Sequence, residues 1–260
     1  MRIDFSITLQ HADASTPFRT FTPTEDFYTP DCDDVPFPVP LGGALEGESG
    51  YDCSNDGDCH LLVVDDAGAK LYEMWRAFTG GSGAFTAGCT AVWDLHEAYP
   101  ASLRGDGCTS ADAGGFPIAA MLFTADEIAA GEIPHAIRFI LPNARIRGGD
   151  VFVHPGSHTT GATSGGADAP PYGVRMRLKA SYDTSALDPA ARVVAKAMQT
   201  YGMFLSDGGN IALTAADDRF TNAKWAQVGM TASSLAGLDV TDFEVVDMGS
   251  TVSSGSCARN

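Results

Sequence analysis

The stretch DCHLLVVDDAGAKLYEMWRA, residues 58–77, predicts a β-hairpin and with it a β-rich fold. Two apolar runs, His60–Asp65 and Lys70–Trp75, flank the four residues 66–69. Apolar and β-branched runs on either side of a short glycine-containing connection are typical of antiparallel hairpins. We therefore expect two paired strands joined by a loop at 66–69.

The expected register of this hairpin places three functional side chain types on one face. With residues 66–69 as the loop, Leu62 pairs with Glu73 and His60 pairs with Trp75. Because side chains alternate between the two faces of a strand, His60, Glu73 and Trp75 share a face. This cluster suggests a catalytic or sugar-binding surface. The alternative is a structural Glu73, salt-bridged to a neighbouring strand, with Trp75 in the core.

Composition bounds the class of protein. The chain has 260 residues, of which 44% are hydrophobic, and a formal net charge of −17. This charge argues against a nucleic-acid partner, because phosphate binding needs a basic surface. The sequence holds no apolar stretch long enough to insert into a membrane. We expect one β-sandwich domain over residues 1–260. Residues 1–50 are expected to form an extended segment that wraps this sandwich, and residues 249–260 a loose tail unless Cys257 is bonded.

Six cysteines in an acidic, glycine-rich chain predict disulfides and an oxidising compartment. The protein is therefore expected to be secreted, although no signal peptide is visible in the sequence. Joining near neighbours first and the chain ends last, we expect the pairs Cys53–Cys59, Cys89–Cys108 and Cys32–Cys257.

The segment before the hairpin resembles half of a calcium-binding loop. Asp52, Ser54 and Asp56 supply oxygen ligands at alternate positions, Gly57 follows, and Asp58 adds a further carboxylate. Calcium loops need hard oxygen ligands and a glycine at the sharp bend. The twelfth position, where such a loop carries a glutamate, is a valine. The segment is a candidate for structural calcium or an ordinary acidic turn, and no other cofactor is required.

Two further carboxylates are candidate site residues. Asp112 lies in the small, polar loop Cys108–Gly115, which either presents a carboxylate to a substrate or is a plain connection. Asp207 lies at the tip of a second predicted hairpin, between the strands Met203–Leu205 and Ile211–Thr214.

Basic side chains are the candidate substrate-binding groups. On the strand Val174–Ala180, alternation places Arg177 and Lys179 on the face opposite the core. They either line a groove for a glycan or pair with acidic neighbours on adjacent strands. The candidates are Arg138, His158, Arg177 and Lys179, together with Trp75 and Asp207.

One packed helix is predicted at about residues 188–201. Asp188 is an N-cap residue, Pro189 occupies the first helical position and Gly202 follows the end. A short helix is predicted at Ala125–Ala130. The remaining segments read as strands and turns, so the predicted fold is an all-β antiparallel sandwich or jelly roll with this helix and short helical turns.

Four motifs carry a resemblance to a known group of proteins. The motifs are CHLLVVD with KLYEMWRA, CTSADAGG, HAIRFIL, and RLKASYD with YGMFLSDGGN, and the resemblance runs over roughly residues 50–247. Together they resemble a group of exported bacterial and related proteins of unknown function, which look like β-sandwich or jelly-roll proteins and are often attached to carbohydrate-related modules. The resemblance implies a sandwich or jelly-roll fold and export, and it points to glycans as ligands.

The sequence thus predicts a secreted glycan-degrading enzyme, most simply a glycoside hydrolase. Such hydrolysis needs two carboxylates, an acid and a base or nucleophile. Glu73 is the first choice and Asp112 the second, with Asp207 and Asp94 behind them and His60 as a further catalytic candidate. One alternative is a polysaccharide lyase that uses the same cleft on a uronate. Another is a non-catalytic carbohydrate-binding protein with structural calcium, and a third is a surface protein without a small ligand.

Overall fold

A computed structural model describes residues 1–54, 57–79, 85–210 and 212–260. The described residues form a β-rich fold with few helices. The strands are β1 (Ile3–Ile7), β2 (Leu9–Ala12), β3 (Phe18–Arg19), β4 (Phe21–Pro23), β5 (Phe37–Pro38), β6 (Leu61–Asp65), β7 (Lys70–Trp75), β8 (Phe85–Ala87), β9 (Cys89–Asp94), β10 (Ile137–Leu141), β11 (Val151–Phe152), β12 (Arg175–Leu178), β13 (Met203–Gly208), β14 (Leu213–Ala216), β15 (Phe243–Val245) and β16 (Val252–Ser253).

The sheets are mixed, which corrects the prediction of purely antiparallel pairing. The largest sheet has the order β1-β14-β10-β13-β12-β15, and the next has the order β2-β6-β7-β9. The pairs β1/β14, β10/β13 and β2/β6 are parallel. Each of these pairs joins strands that are distant in sequence, so no local turn signal could reveal their direction. Three two-stranded sheets complete the set: β3/β5, β4/β8 and β11/β16.

The first predicted hairpin is confirmed with its register. Strands β6 and β7 are antiparallel, with Leu62 opposite Glu73 and Asp65 opposite Lys70. Strand β9 pairs with the other edge of β7 and places Ala91 opposite Glu73. Glu73 therefore lies on an interior strand of its sheet, and its side chain is fully buried.

The second predicted hairpin is wrong. Strand β10 lies between β13 and β14 in the sheet, so these two strands are not neighbours. Asp207 belongs to β13, where it is opposite Ile140 of β10. The long-range partner β10 displaces the local pairing that the glycine-rich connection suggested. Arg138 belongs to β10 and therefore lies on an interior strand of the six-stranded sheet.

The helix predicted at 188–201 is confirmed as α2 (Pro189–Thr200), and the short helix α1 (Ala125–Ala130) is also present. A third, α3 (Trp225–Val228), has four residues. The buried face of α2 packs into the main apolar cluster with side chains of β10 and β13. A smaller cluster contains Ile7 and Ala216 of the large sheet and Leu62 of the four-stranded sheet, so side chains of both sheets meet there.

The disulfides confirm one predicted pair and correct two. Cys53–Cys59 is present as predicted. The other bonds are Cys32–Cys89 and Cys108–Cys257, whereas we expected Cys89–Cys108 and Cys32–Cys257. The choice by nearness in sequence failed because Cys89 lies at the start of β9, beside the N-terminal segment. All six cysteines are therefore bonded, which is typical of oxidising compartments.

The segment 249–260 is tied to the rest of the chain, because Cys257 is bonded. Strand β16 pairs with β11. The Arg259 guanidinium donates to the Asp33 carboxylate at 2.7 Å. The Asn260 backbone N–H donates to the Arg104 carbonyl at 3.1 Å. The bond to Cys257 is the condition under which a loose tail was not expected.

Candidate functional site

A cavity of about 570 Å³ opens beside the ends of β7 and β13. This volume falls within the range of roughly 300–1,000 Å³ that is usual for small-molecule sites. Aromatic, carboxylate and imidazole side chains share its wall. They include Tyr28, Asp58, His60, Trp75, Asp112, His158, Tyr172 and Asp207.

Two of these carboxylates are joined by one buried guanidinium. Arg138 Nε and Nη2 donate to Asp112 Oδ1 at 2.9 and 2.8 Å, and Nη2 also donates to Asp207 Oδ2 at 2.7 Å. The two carboxylate oxygens therefore lie no farther apart than the sum of their distances to Nη2. The side chains of Arg138 and Asp112 are 4% and 0% exposed, whereas Asp207 is 25% exposed. Asp207 is thus the more accessible member of the pair.

Burial raises the pKa of both carboxyl groups, and a neighbouring carboxylate adds to the increase in each. For Asp112, desolvation is the largest cause, Arg138 opposes it, and the Asp207 charge adds to the increase. For Asp207, desolvation again outweighs the stabilising charges of Arg138 and His60. Asp112 Oδ2 is buried and has no hydrogen-bond partner in the described part of the chain. The two carboxyl groups are therefore placed to hold a proton at higher pH than ordinary aspartates.

The loop that carries Asp112 is held from both sides by imidazoles. His60 Nε2 contacts the Ala111 carbonyl oxygen at 3.0 Å, and His158 Nδ1 contacts the Ala113 carbonyl oxygen at 2.9 Å. The loop is also anchored to β13, because the Gly114 N–H donates to the Ser206 carbonyl and Ser206 Oγ donates to Asp112 Oδ1 at 3.1 Å. The Asp112 carboxyl group is consequently fixed in position before any ligand binds.

His60 is an imidazolium in this arrangement. Its Nδ1 lies 2.6 Å from Glu46 Oε2, and its Nε2 faces the Ala111 carbonyl oxygen. Both partners are acceptors, so both ring nitrogens must donate. Burial opposes the charge, but the Glu46 carboxylate outweighs it and raises the pKa of His60 to about 9. The His60 and Glu46 charges therefore neutralise each other.

His158 has the opposite character. Because Nδ1 donates to the Ala113 carbonyl, the neutral ring carries its lone pair on Nε2. Burial lowers the pKa of His158, which keeps the ring neutral. No hydrogen bond to Nε2 is found within the described residues. This nitrogen can accept a proton or a hydrogen bond from a ligand in the cavity.

Trp75 and Asp58 form one side of the cavity. The Trp75 indole N–H donates to Asp58 Oδ1 at 2.7 Å. The Arg76 guanidinium lies 5.0 Å from the centre of the Trp75 ring and is paired with Asp26 at 2.6 Å. His60 and Trp75, which the sequence places on one face of the hairpin, both line this cavity.

Glu73, the first-choice catalytic residue, does not line the cavity. Its Oε2 accepts from the Trp93 indole N–H at 3.0 Å, and its Oε1 accepts from the Ala119 backbone N–H at 2.8 Å. Desolvation raises the pKa of Glu73 to about 7, although these two hydrogen bonds oppose the shift. The sequence-based prediction placed Glu73 beside His60 and Trp75, but the structure turns its carboxyl group into the protein interior.

The candidate binding residues Arg177 of β12 and Lys179, which follows β12, also lie away from the cavity. Arg177 pairs with Glu244 of β15 at 2.6 Å, and Lys179 Nζ donates to the Thr241 carbonyl at 2.7 Å. Arg177 thus matches the alternative in which these cations pair with acidic neighbours on adjacent strands, whereas Lys179 binds a backbone carbonyl outside the strands. Asp94, the last carboxylate candidate, pairs with Lys70 at 3.4 Å.

The candidate calcium loop is only partly described, because Asp56 lies outside the described residues. Asp52 Oδ1 accepts from Thr79 Oγ1, and Ser54 Oγ donates to Glu48 Oε1 at 2.7 Å. The Asp58 carboxylate accepts a hydrogen bond from the Trp75 indole N–H. Glu48 also lies close to the Cys53–Cys59 sulfurs, but sulfurs in a disulfide are not thiolate ligands. Calcium stays a prediction.

Sequence reasoning missed Glu46, Tyr28 and Tyr172. Glu46 lies in a turn 14 residues before His60, and nothing in its local pattern indicates that contact. Tyr28 and Tyr172 reach the cavity from irregular segments that alternation cannot place. The positions of these residues depend on contacts between distant parts of the chain.

Searches against protein-family models, curated proteins and solved structures each found no match. The resemblance to exported β-sandwich proteins therefore stays a prediction. Among the helices of the described residues, none has the length and apolar character needed to cross a membrane.

Proposed function

We propose that this protein is a glycoside hydrolase and that Asp112 and Asp207 are its two catalytic carboxyl groups. The observation that carries the proposal is the pair itself: two carboxyl groups, joined by Arg138, line a cavity whose lining also includes Trp75 and Tyr28. Glycoside hydrolysis uses such a pair, one carboxyl group as acid and the other as nucleophile or base.

The short separation favours the retaining form of the reaction. Both carboxylate oxygens bind the same nitrogen, Arg138 Nη2, at 2.8 and 2.7 Å. Retaining enzymes hold their carboxyl groups about 5–5.5 Å apart, whereas inverting enzymes leave about 6.5–9.5 Å for a water molecule. The two carboxylate oxygens can be no farther apart than the sum of their distances to Arg138 Nη2, and this limit fits the spacing of retaining enzymes.

Exposure distinguishes the roles of the two groups. Two carboxyl groups that share one guanidinium lose their protons in two steps. Between these steps one group is protonated and the other is ionised. Asp112, the more enclosed group, keeps the proton and gives it to the glycosidic oxygen as the bond breaks. Asp207, the more exposed group, attacks the anomeric carbon and forms a glycosyl ester. Asp112 then accepts a proton from the water that hydrolyses this ester.

The rest of the cavity suits a sugar. Trp75 and Tyr28 offer aromatic faces, and sugar rings commonly stack on such surfaces. His158 Nε2 and the Asn143 side chain, which also lines the cavity, can hydrogen-bond hydroxyl groups. We further propose that the two larger sheets act as layers of a sandwich, with the cavity at one end. An extracellular polysaccharide is the expected substrate, in keeping with the three disulfides.

A polysaccharide screen tests the proposal. The protein is incubated with neutral, amino-sugar and uronic polysaccharides, and both reducing ends and the ultraviolet absorbance of unsaturated products are measured. A hydrolase releases reducing ends without unsaturated products. Unsaturated products would indicate a lyase instead, and binding without any cleavage would indicate a carbohydrate-binding protein.

A further inference from the structure

We propose that the cavity selects glycans that carry free, protonated amino groups, and that Asp58 and Trp75 form the subsite for the ammonium group. The inference rests on the proposed function, because it names the substrate class of the same cavity. The inference follows from the pairing of the charged side chains in the cavity: the cations have partners, whereas one carboxylate has no cationic partner among the described residues.

The cations in and behind the cavity are already neutralised. His60 is paired with Glu46 at 2.6 Å, and Arg76 is paired with Asp26 at 2.6 Å. Arg138 is shared between the two aspartates described above, and its side chain is only 4% exposed. Within the described residues, no unpaired guanidinium or ammonium group remains in the wall to bind the carboxylate of a uronate.

The anions exceed the cations. Asp58, Asp112 and Asp207 all line the cavity. With Asp112 protonated, the guanidinium of Arg138 balances the Asp207 carboxylate, and the Asp58 carboxylate is left in excess. No cationic side chain pairs with Asp58 in the described part of the chain; its contact there is the neutral indole N–H of Trp75. The negative charge of Asp58 is thus available to a ligand.

A second observation points to a ligand in the same cavity. Asp112 is 1% exposed and lines the wall, yet its Oδ2 has no hydrogen-bond partner among the described residues. Buried polar atoms are normally hydrogen-bonded. A hydroxylated amino sugar can supply the missing partner, because its oxygens can accept the proton that the proposed mechanism places on Asp112.

The chemistry of an ammonium group matches Asp58 and Trp75 together. A carboxylate forms a charge-assisted hydrogen bond with it, and the Trp75 indole N–H holds the Asp58 carboxylate in position. The net charge of −17 adds long-range attraction for a cationic polymer. An N-acetylated sugar has no such charge, and a uronate would be repelled.

Isothermal titration calorimetry tests the inference. The full chain is titrated in slightly acidic buffer with glucosamine, N-acetylglucosamine, glucose and galacturonate oligosaccharides of equal length. We expect the glucosamine oligosaccharide to bind at least about tenfold more tightly than its N-acetylated counterpart, a difference of about 1.4 kcal/mol. The galacturonate oligosaccharide is expected not to bind.

Two variants locate the effect. Asp58→Asn removes the charge but keeps an oxygen that can accept from Trp75, so it should lose the preference for the free amine and keep its folding. Glu132→Gln makes the same change in charge at an exposed position outside the cavity and should keep the preference. Equal binding of the amine and its N-acetylated form, or an unchanged preference in Asp58→Asn, would overturn the inference.

Reducing ends measured separately on the same oligosaccharides keep the two proposals distinct. Selective binding of the amine without cleavage would overturn the hydrolase proposal and leave the selectivity standing. Cleavage of a neutral or N-acetylated glycan without any preference for the free amine would support the hydrolase proposal and overturn the selectivity.

Discussion

At the scale of residues, Glu73 and Asp112 are both enclosed carboxyl groups, but they have different surroundings. Glu73 is hydrogen-bonded at both oxygens by Trp93 and Ala119 and has no access to the cavity. Asp112 faces a second carboxyl group across Arg138 and keeps one oxygen without a partner in the described part of the chain. Burial raises the pKa of each, so a raised pKa alone does not identify the reacting group; access to the cavity does.

The pH dependence of stability should reveal the enclosed Glu73. Folding raises its pKa from 4.5 to about 7, so the folded chain holds this proton more tightly than the unfolded chain. The free energy of unfolding therefore falls as the pH rises from 4.5 through 7, by about 3 kcal/mol from this group. Because Gln does not titrate, Glu73→Gln should gain about 3 kcal/mol relative to the unmodified protein between acidic and alkaline pH.

Denaturant unfolding of both proteins at pH values on either side of this window measures the difference. The comparison removes the direct titration of Asp112 and Asp207, because both carboxyl groups are present in the two proteins. A stability difference that does not change with pH would mean that Glu73 has an ordinary pKa and is not desolvated.

At the scale of elements, the loop Cys108–Gly115 is shaped by close contacts with its neighbours. Gly115 has φ of +81°, which favours glycine. A β-carbon there would overlap the Ser157 hydroxyl and lie 2.9 Å from the Cys108 carbonyl oxygen. The loop can therefore hold Asp112 in its observed position only with glycine at 115.

Gly115→Ala should destabilise the protein more than Gly131→Ala. Gly131 has a similar φ of +84°, but no atom lies within 4 Å of a β-carbon built there. Gly131→Ala should cost only the backbone strain of about 1 kcal/mol, whereas Gly115→Ala adds crowding and should cost about 2–4 kcal/mol. Chemical denaturation of both variants gives the comparison; equal losses would show that the loop yields without resistance.

The elements also show which features the sequence can predict. Local signals were sufficient for the hairpin of β6 and β7 with its register, and for α2, because turn residues, alternation and the Asp188-Pro189 start act over a few positions. Local signals failed for β13 and β14. These two strands are not paired, because β10, which lies more than 60 residues earlier in the chain, is between them in the sheet. The sequence named Asp112, Asp207 and Arg138, but it could not show that they meet, since that depends on sheet order.

At the scale of the whole molecule, the disulfides join distant segments around the cavity. Cys32–Cys89 joins the N-terminal segment to the start of β9, and Cys89 itself lines the cavity. Cys108–Cys257 joins the start of the Asp112 loop to the C-terminal segment. The covalent network thus supports the elements that bear the candidate site.

Removing Cys108–Cys257 should cost more stability than removing Cys53–Cys59. The first bond spans 149 residues of sequence and the second spans 6. Loop-closure entropy assigns about 5 kcal/mol to the longer loop and about 2 kcal/mol to the shorter one. Thermal unfolding of the two double Cys→Ser variants tests this order. Equal losses would mean that native contacts of the tail, such as Arg259 with Asp33, replace the longer bond.

The most direct test of the central claim compares hydrolysis by three variants on the polysaccharide that the screen identifies. Asp207→Asn and Asp112→Asn should each lower kcat at least about a thousandfold, as expected when a nucleophile or acid is removed, with both proteins still folded by circular dichroism. Glu132→Gln, which changes one exposed carboxylate away from the cavity, should keep full activity. Undiminished hydrolysis by the folded Asp207→Asn variant would contradict the account.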